Sequence, residues 1–381
     1  MNDIQKYFVS LLSSYLNNEI PEANTICKWS EIFKLAELHN LTGVIALEIN
    51  KLAPENQPNS TGKSYFNQAL GLTVQNTELK NIGVKKMTEV LSAAEINHVI
   101  IKGSAIRHLY PVPDVRTSGD TDIVISEDDK QKVKEYLIDA GFELIHESVT
   151  QLVFRYLEQE FQFKTYFDCM NTEDRAFFSI DLCETENGFT YYLKPLLHLL
   201  YVINHLLKHI KSGGVGLRQL MDIDVLLRNE EIDINQLIWL CSNMGIEKSA
   251  KAIIALTKRL FSTPVDLECT IDDELFDQLT DVIITGGVFG FANANEGTVR
   301  LANSGSKIKA IMSTLFATKE YMYNTYIYAN KHHCLLPIAY IQRFISAIFK
   351  RRKQNTENIK SIFKDDEKAI KLSNIQKELE I

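Results

Sequence analysis

The sequence predicts an α+β protein in which a small mixed sheet is framed by helical regions at both ends of the chain. In residues 1–53, apolar side chains recur at the three- and four-residue spacing of amphipathic helices. Between residues 142 and 182, aromatic and β-branched residues alternate with polar ones over much of the sequence, which is typical of half-buried strands. After residue 193 the helical spacing returns for most of the chain. Strands flanked by helices in this order favour the α+β class.

Two changes in composition divide the chain into three predicted regions. Residues 54–64 read PENQPNSTGKS, a stretch of turn-forming residues that contains no large apolar side chain. The second change follows Gly188, where the apolar period passes from two residues to nearly four. We therefore predict a helical N-terminal region over 1–62, a sheet-bearing domain over 63–190 and a helical C-terminal domain over 191–381.

The sheet-bearing domain is predicted around one central stretch, residues 99–125. A long helix over about 65–94 leads into the apolar strand Val99-Ile100-Ile101, which ends in Lys102-Gly103-Ser104. After a short helical piece and a loop with prolines, Asp120-Thr121-Asp122 opens a second, β-branched strand. These two strands are expected to be neighbours, with their polar residues close together.

The remaining elements follow from the same patterns of apolar spacing. A helix over 127–140 is expected to end at Gly141, which can adopt the left-handed conformation of a helix cap. The other elements are four strands, 142–145, 152–156, 161–167 and 177–182, and two helices, about 193–210 and 216–228.

The spacing of Asp120 and Asp122 predicts a metal site. Residues i and i+2 of a strand point to the same face, and two adjacent carboxylates are costly unless a cation lies between them. Gly103 allows the backbone to approach a phosphate closely, and Ser104 offers a hydroxyl and an N–H group at a helix start. Together they predict Mg²⁺ (or Mn²⁺) beside a nucleoside triphosphate. The competing interpretation is a solvated pair of acids beside an ordinary strand-to-helix turn.

A third carboxylate is expected on a later strand. In the run from 177 to 182, Asp181 shares one face with Ser179, so its carboxylate could ligate the metal or accept a proton. Asp168 and Glu184 are rival candidates for this role. A surface acid without a function is the competing interpretation.

Four basic residues are candidates for binding the nucleotide phosphates, because fixed cations stabilise the charge that builds on them during transfer. They are Lys102, Arg116, Lys208 and Arg218. Arg116 is the strongest candidate because it lies just before the two acids. Asp222, four residues after Arg218, is a candidate ion-pair partner for it on the same helix face.

His205 and His209 share one helix face because they are four residues apart. A zinc pair at this spacing lacks an obvious third ligand. We therefore expect both imidazoles to line or support the cleft beside the sheet.

The combination of these motifs resembles a known family. Lys102-Gly103, Tyr110-Pro111, Pro113, Arg116 and Asp120-x-Asp122 together resemble the uncharacterised nucleotidyltransferase family of bacterial polysaccharide and antibiotic gene clusters. Further similar segments are HLLKH at 205–209, LRQLMDI at 217–223, GGVFG at 286–290 and LLPIAYIQR at 335–343. Two features depart from the Gly-Ser…Asp-x-Asp signature of the wider nucleotidyltransferase superfamily. Fifteen residues separate Ser104 from Asp120, and Thr121 replaces the usual apolar residue between the acids.

The resemblance implies a metal-dependent transfer of a nucleoside monophosphate from an NTP, with ATP as the expected donor, to an acceptor hydroxyl. It also implies that Asp120, Asp122 and Asp181 are the catalytic and metal-binding residues and that Gly103 and Ser104 hold phosphates. Two alternatives are a non-catalytic nucleotide-binding or interaction protein with the same fold, and an RNA-directed nucleotidyltransferase.

Composition limits the partners. The formal net charge of −8 argues against a general nucleic-acid binder, which usually needs a basic face. No apolar run reaches the roughly 18 residues that a membrane span requires. The six cysteines are scattered, and the N-terminus lacks the basic start of a signal peptide. These features predict a cytoplasmic protein, and they leave the acceptor unidentified.

Overall fold

The computed structural model describes residues 1–24, 28–167, 182–185, 187–267, 270–288, 296–349, 352–364 and 366–381. The helices are α1 Asp3–Leu16, α2 Trp29–Leu38, α3 Thr42–Lys51, α4 Ser60–Ala93, α5 Gly103–Ile106, α6 Lys130–Asp139, α7 Pro195–Lys211, α8 Leu217–Asn229, α9 Ile234–Asn243, α10 Glu247–Phe261, α11 Asp273–Gly286, α12 Glu296–Ser304, α13 Lys307–Leu315, α14 Lys319–Thr325, α15 Ile327–Lys331, α16 Leu336–Phe349, α17 Arg352–Lys364 and α18 Asp366–Glu378. The strands are β1 His98–Ile101, β2 Asp120–Ile125, β3 Glu143–Glu147, β4 Gln151–Tyr156, β5 Gln159–Lys164, β6 Leu182–Glu184 and β7 Thr190–Leu193.

The described strands form one mixed sheet in the order β3-β4-β5-β2-β1-β7-β6. β2 runs parallel to β5 and β1 runs parallel to β7, whereas the other neighbouring pairs are antiparallel. The strand that carries Asp120 and Asp122 therefore lies inside the sheet, between β5 and β1. Its register pairs Asp122 with Ile101 of β1 and with Gln162 of β5.

The alternation of side chains along β1 and β2 gives the sheet two different faces. Ile100, Ile123 and Ile125 pack with the apolar side chains of α4 and α6. Val99, Ile101 and Val124 pack with Tyr201 of α7 on the opposite face. Asp120 and Asp122 have the same parity as Val124, so the β2 backbone directs both carboxylates toward α7.

The helices that precede and follow the sheet share one large core. Tyr7, Phe8 and Leu12 of α1 belong to the same buried cluster as Leu206 of α7 and Ile253 of α10. The predicted boundaries at 62 and 190 remain predictions, although the sheet ends at Leu193, close to the second of them.

The α+β class and the helical N-terminal region are confirmed. Two elements differ from the sequence prediction. Residues 54–64 are less irregular than expected, because a 3₁₀ turn forms at Pro54–Asn56 and α4 begins at Ser60, capped by the Asn59 side chain. The four residues of β7 have no clear alternation and were not predicted, since pairing with β1 and β6 defines this strand. In the described part of the chain, no helix combines the length and apolar character needed to cross a membrane.

Candidate functional site

The N-terminal end of β2 opens into a cavity of about 330 Å³ between the sheet and helices α7 and α8. We call it the carboxylate cleft. Its lining includes Lys102, Gly103, Arg116, Asp120, Asp122, Gln162, Lys164, His205, His209, Arg218, Gln219 and Asp222. Eight residues predicted or weighed for the site therefore line one cleft: Lys102, Gly103, Arg116, Asp120, Asp122, His205, His209 and Arg218.

Asp122 lies between two lysines. Its Oδ1 atom is 3.0 Å from Nζ of Lys102 and 3.2 Å from Nζ of Lys164, and the residue is only 6% exposed. Burial alone would raise the pKa of Asp122, but the two ammonium groups hold it below its ordinary value. Asp122 is therefore a carboxylate anion at neutral pH.

Asp120 has the opposite electrostatic character. Burial and the neighbouring charge of Asp122 raise the pKa of Asp120, and Lys102 and Lys80 offset only part of that rise. A divalent cation would relieve this repulsion, and Mg²⁺ commonly binds one or two carboxylates and completes its shell with substrate phosphates and water. The donor set of Asp120 and Asp122 fits such an ion. No third acidic, histidine or cysteine ligand joins them among the described residues.

The turn between β1 and α5 is held in an uncommon backbone conformation. Lys102 has a φ of 58°, and its backbone N–H donates to Nε2 of His198 at 3.0 Å. Burial lowers the pKa of His198 to about 4, so the imidazole is neutral and can accept this bond. His198 thus positions the turn, a role that the sequence analysis did not assign.

Gly103 is required by the close approach of Arg116. A Cβ atom added at Gly103 would lie 2.1 Å from Nη1 of Arg116. No side chain larger than hydrogen fits there unless the guanidinium moves. Gly103, which is expected to allow the close approach of a phosphate, therefore also allows the close approach of the Arg116 guanidinium.

The Ser104 hydroxyl does not point into the carboxylate cleft. Its Oγ atom lies 3.2 Å from Oγ1 of Thr121, which has the opposite parity to Asp120 and Asp122. Ser104 is also not among the residues that line the cleft. The phosphate-binding role of Ser104 stays a prediction, and Thr121, at the usually apolar position, is the partner of its hydroxyl in this structure.

Arg116 is paired with Asp222 of α8, and its Nη1 atom donates to the backbone oxygen of Thr117. Its Nε atom donates to Oδ1 of Asp222 at 3.1 Å, its Nη2 atom donates to Oδ2, and Tyr110 donates to Oδ1 at 2.6 Å. The predicted pairing of Asp222 with Arg218 is wrong, because Arg218 instead donates to Oγ1 of Thr117 at 3.1 Å. Arg116 therefore fastens the loop before the two acids to α8.

Several predicted residues fall elsewhere. Lys208 is exposed on α7 and does not line the carboxylate cleft. Asp168 and Asp181 lie outside the described residues. Glu184 ends β6, which is separated from β2 by β7 and β1.

His205 and His209 line the carboxylate cleft, as expected, and their Nε2 atoms are 3.0 Å apart. One imidazole must donate and the other accept in this contact, so the pair shares a proton.

Lys164 is a contact that the sequence analysis missed. The parallel pairing of β2 with β5 brings it to Asp122, and no local pattern indicates that pairing.

Comparison with known proteins gives one match. A family model described as an uncharacterised nucleotidyltransferase matches residues 27–262, which include the sheet, the cleft residues named above and helices α7 and α8. No curated protein and no solved structure matches the chain.

Proposed function

Because the chain belongs to the uncharacterised nucleotidyltransferase family, we propose that it moves a nucleoside monophosphate from an NTP, with ATP as the first donor to test, to a hydroxyl of an acceptor. The observation that carries this proposal is the convergence of Asp120, Asp122, Lys102 and Lys164 in one cleft. The carboxylates suit a divalent cation, and the lysines suit phosphate oxygens.

Asp120 and Asp122 would hold Mg²⁺ or Mn²⁺, which supplies charge neutralisation for the triphosphate. Lys102 and Lys164 stand beside them and would stabilise the charge that develops on the phosphates. Phosphoryl-type transfer depends mainly on such positioning and electrostatics.

In the proposed step, the acceptor oxygen bonds to the α-phosphorus while the bond from that phosphorus to the bridging oxygen breaks. Pyrophosphate leaves, and the hydroxyl proton passes to a base. Asp181 is the base or third carboxylate implied by the family resemblance. Among the described residues, His205 and His209 are the groups at the cleft best suited to take a proton.

The test is an incubation with Mg²⁺, α-labelled NTPs and a pooled metabolite extract, followed by a search for nucleotidylated products and released pyrophosphate. We expect Asp122→Asn to lower transfer by about 10² or more, as the removal of a key electrostatic group does in other enzymes. Asp128→Asn is the matched control. Asp128 is exposed just beyond β2, so this substitution makes the same chemical change outside the cleft.

Two results would contradict the proposal. Equal transfer by the Asp122→Asn and Asp128→Asn variants would remove Asp122 from the chemistry. Binding of the NTP with no pyrophosphate release under any acceptor condition would favour a non-catalytic nucleotide-binding protein.

A further inference from the structure

A second cavity, of about 300 Å³, adjoins the carboxylate cleft and meets it at Asn40 and Ser118. We call it the cationic cavity. Its polar lining comes from α4, from the turn after α5, from the loop before β2 and from the start of β5. The residues that carry the argument are Asn76, Thr77, Lys80, Arg107, Ser118 and Gln159. None of the described lining residues is an aspartate or a glutamate.

Lys80 brings a buried positive charge to this cavity. The residue is 2% exposed, and its Nζ atom donates to the backbone oxygen and to Oγ of Ser118, both at 2.9 Å. In the described part of the chain, no carboxylate lies within ion-pair distance of it. Two neutral oxygens are a poor replacement for the water that a buried ammonium loses.

Arg107 brings a second buried charge, and one edge of its guanidinium is unused. The residue is 8% exposed, and its Nη1 atom donates to Oδ1 of Asn81. Its Nε and Nη2 atoms are buried and have no hydrogen-bond partner among the residues that the structure describes. These two nitrogens form the edge of an arginine that binds a carboxylate or phosphate through two parallel bonds.

Arg116 demonstrates what that edge does elsewhere in this chain. Its Nε and Nη2 atoms donate hydrogen bonds to the two carboxylate oxygens of Asp222. Arg107, which lines the cavity, has the same pair of donors, and no described residue gives it such an acid. A buried unpaired donor is costly, so the arrangement indicates an anion that the described part of the chain does not provide.

The surroundings reinforce the positive charge. Burial lowers the pKa of Lys80 to about 8, and the charges of Arg107, Arg116 and Arg218 add to that effect while Asp120 opposes it. Burial and Arg116 likewise lower the pKa of Arg107 to about 10, while the charge of Asp114 opposes that effect. A bound anion would offset the mutual repulsion of these cations.

We propose that the cationic cavity is a binding site for a phosphate group, held by Arg107 and Lys80 and completed by the neutral side chains of Asn76 and Gln159. The group belongs either to a phosphorylated molecule distinct from the NTP or to the end of the triphosphate itself. Binding at this site can be measured without any transfer reaction, so the proposal can fail or succeed independently of the proposed function.

The experiment measures the binding of inorganic phosphate to the full chain by calorimetry. Asn76→Asp places a negative charge on the exposed face of α4 at the cavity, and we expect it to weaken phosphate binding at least tenfold. Gln75→Glu is the matched control, because it adds the same charge at the adjacent exposed position outside the cavity, and we expect no change.

Arg107→Gln provides a second variant that removes the unused edge directly, and we again expect at least a tenfold loss. Circular dichroism establishes whether each variant is folded. If Arg107→Gln, which changes a buried residue, unfolds the chain, the phosphate affinity of Asn76→Asp alone decides the test. Phosphate affinity that is unchanged in Asn76→Asp and in folded Arg107→Gln would overturn the proposal, as would the absence of phosphate binding to the wild-type protein.

A competition experiment distinguishes the two sources of the phosphate. Titration of phosphate in the presence of saturating Mg²⁺ and α,β-methylene ATP shows competition if the triphosphate reaches the cavity. Independent binding identifies a separate phosphorylated molecule. Asp122→Asn should retain phosphate binding in either case, so loss of transfer and loss of the phosphate site are separable.

Discussion

The carboxylate cleft and the cationic cavity lie on either side of the same loop, residues 117–119, and differ in how their charges are compensated. In the cleft, Lys102 and Lys164 contact Asp122, and Arg116 is paired with Asp222. In the cavity, Lys80 and Arg107 have only neutral described partners. The difference teaches that the described residues of the cleft balance the charges of Asp122 and Arg116 within the chain, whereas those of the cavity leave two buried cations without a carboxylate partner, which is the basis of the proposed anion site.

The ion pair of Arg116 and Asp222 holds the start of the loop 117–119 that separates the two cavities. Breaking this ion pair should have the largest effect on stability. Asp222→Ala leaves a guanidinium that is 5% exposed without its carboxylate, and it removes the acceptor of Tyr110. We expect a loss of about 3–5 kcal/mol in the free energy of unfolding, as for other buried pairs with one partner removed. Urea unfolding measures this loss.

Glu380→Ala is the control for that experiment. It breaks the exposed pair of Lys248 and Glu380 and should leave the unfolding midpoint where it is in the wild type. Equal midpoints for Asp222→Ala and the wild type would mean that the loop between the cavities does not depend on this ion pair. The ion pair would then not explain how the two cavities are kept apart.

Gly103→Ala tests how tightly the cleft is packed against the same arginine. The new Cβ atom would meet Nη1 of Arg116 at 2.1 Å, so the guanidinium must shift, which disturbs its hydrogen bonds to Asp222. We expect a cost of about 1–3 kcal/mol, typical of overpacking, together with weaker NTP binding. Unfolding curves and nucleotide titrations measure the two effects.

Gly119→Ala makes the same change in the loop that separates the cavities, where no atom of the described residues lies within 4 Å of the added carbon. It should unfold like the wild type. If the two alanine variants proved equally stable, the close approach of Arg116 to Gly103 would not be a constraint on the cleft.

The sequence predicted the parts of this site that depend on local patterns. Strand parity alone placed Asp120 and Asp122 on one face, and the run of Val99-Ile100-Ile101 identified β1. The i, i+4 spacing likewise placed His205 and His209 together at the cleft. These features need only the backbone geometry of a single element.

The parts that the sequence could not predict depend on which elements become neighbours. Lys164 reaches Asp122 only because β5 pairs with β2, and Asp222 meets Arg116 across 106 positions of the chain. The cationic cavity needs Lys80 of α4 to meet Ser118, 38 positions later. An amphipathic helix gives no signal that one of its lysines will be buried, so Lys80 was not singled out.

The smallest expected effect is a pH dependence that separates the two cavities. Lys80, with a pKa lowered to about 8, loses its charge as the pH rises through that value, whereas Arg107 and Arg218 stay charged to about pH 10. Sulfate is a suitable probe because it remains a dianion throughout. Its affinity for the wild type should fall by about fivefold between pH 7 and 9.5, near the ~1 kcal/mol of one screened charge contact.

Lys80→Met should bind sulfate more weakly at pH 7 and with little further change up to pH 9.5, since the titrating ammonium is gone. The sign follows from the partners of Lys80: Asp120 favours its charged form, Arg107, Arg116 and Arg218 disfavour it, and a bound anion adds to the influence of Asp120. Sulfate binding should therefore raise the pKa of Lys80 and take up protons near pH 8, a quantity that calorimetry in two buffers of different ionisation enthalpy measures. A wild-type affinity that stays flat, or proton release on binding, would show that Lys80 does not face the anion, and the charge contrast between the cavities would then depend on Arg107 alone.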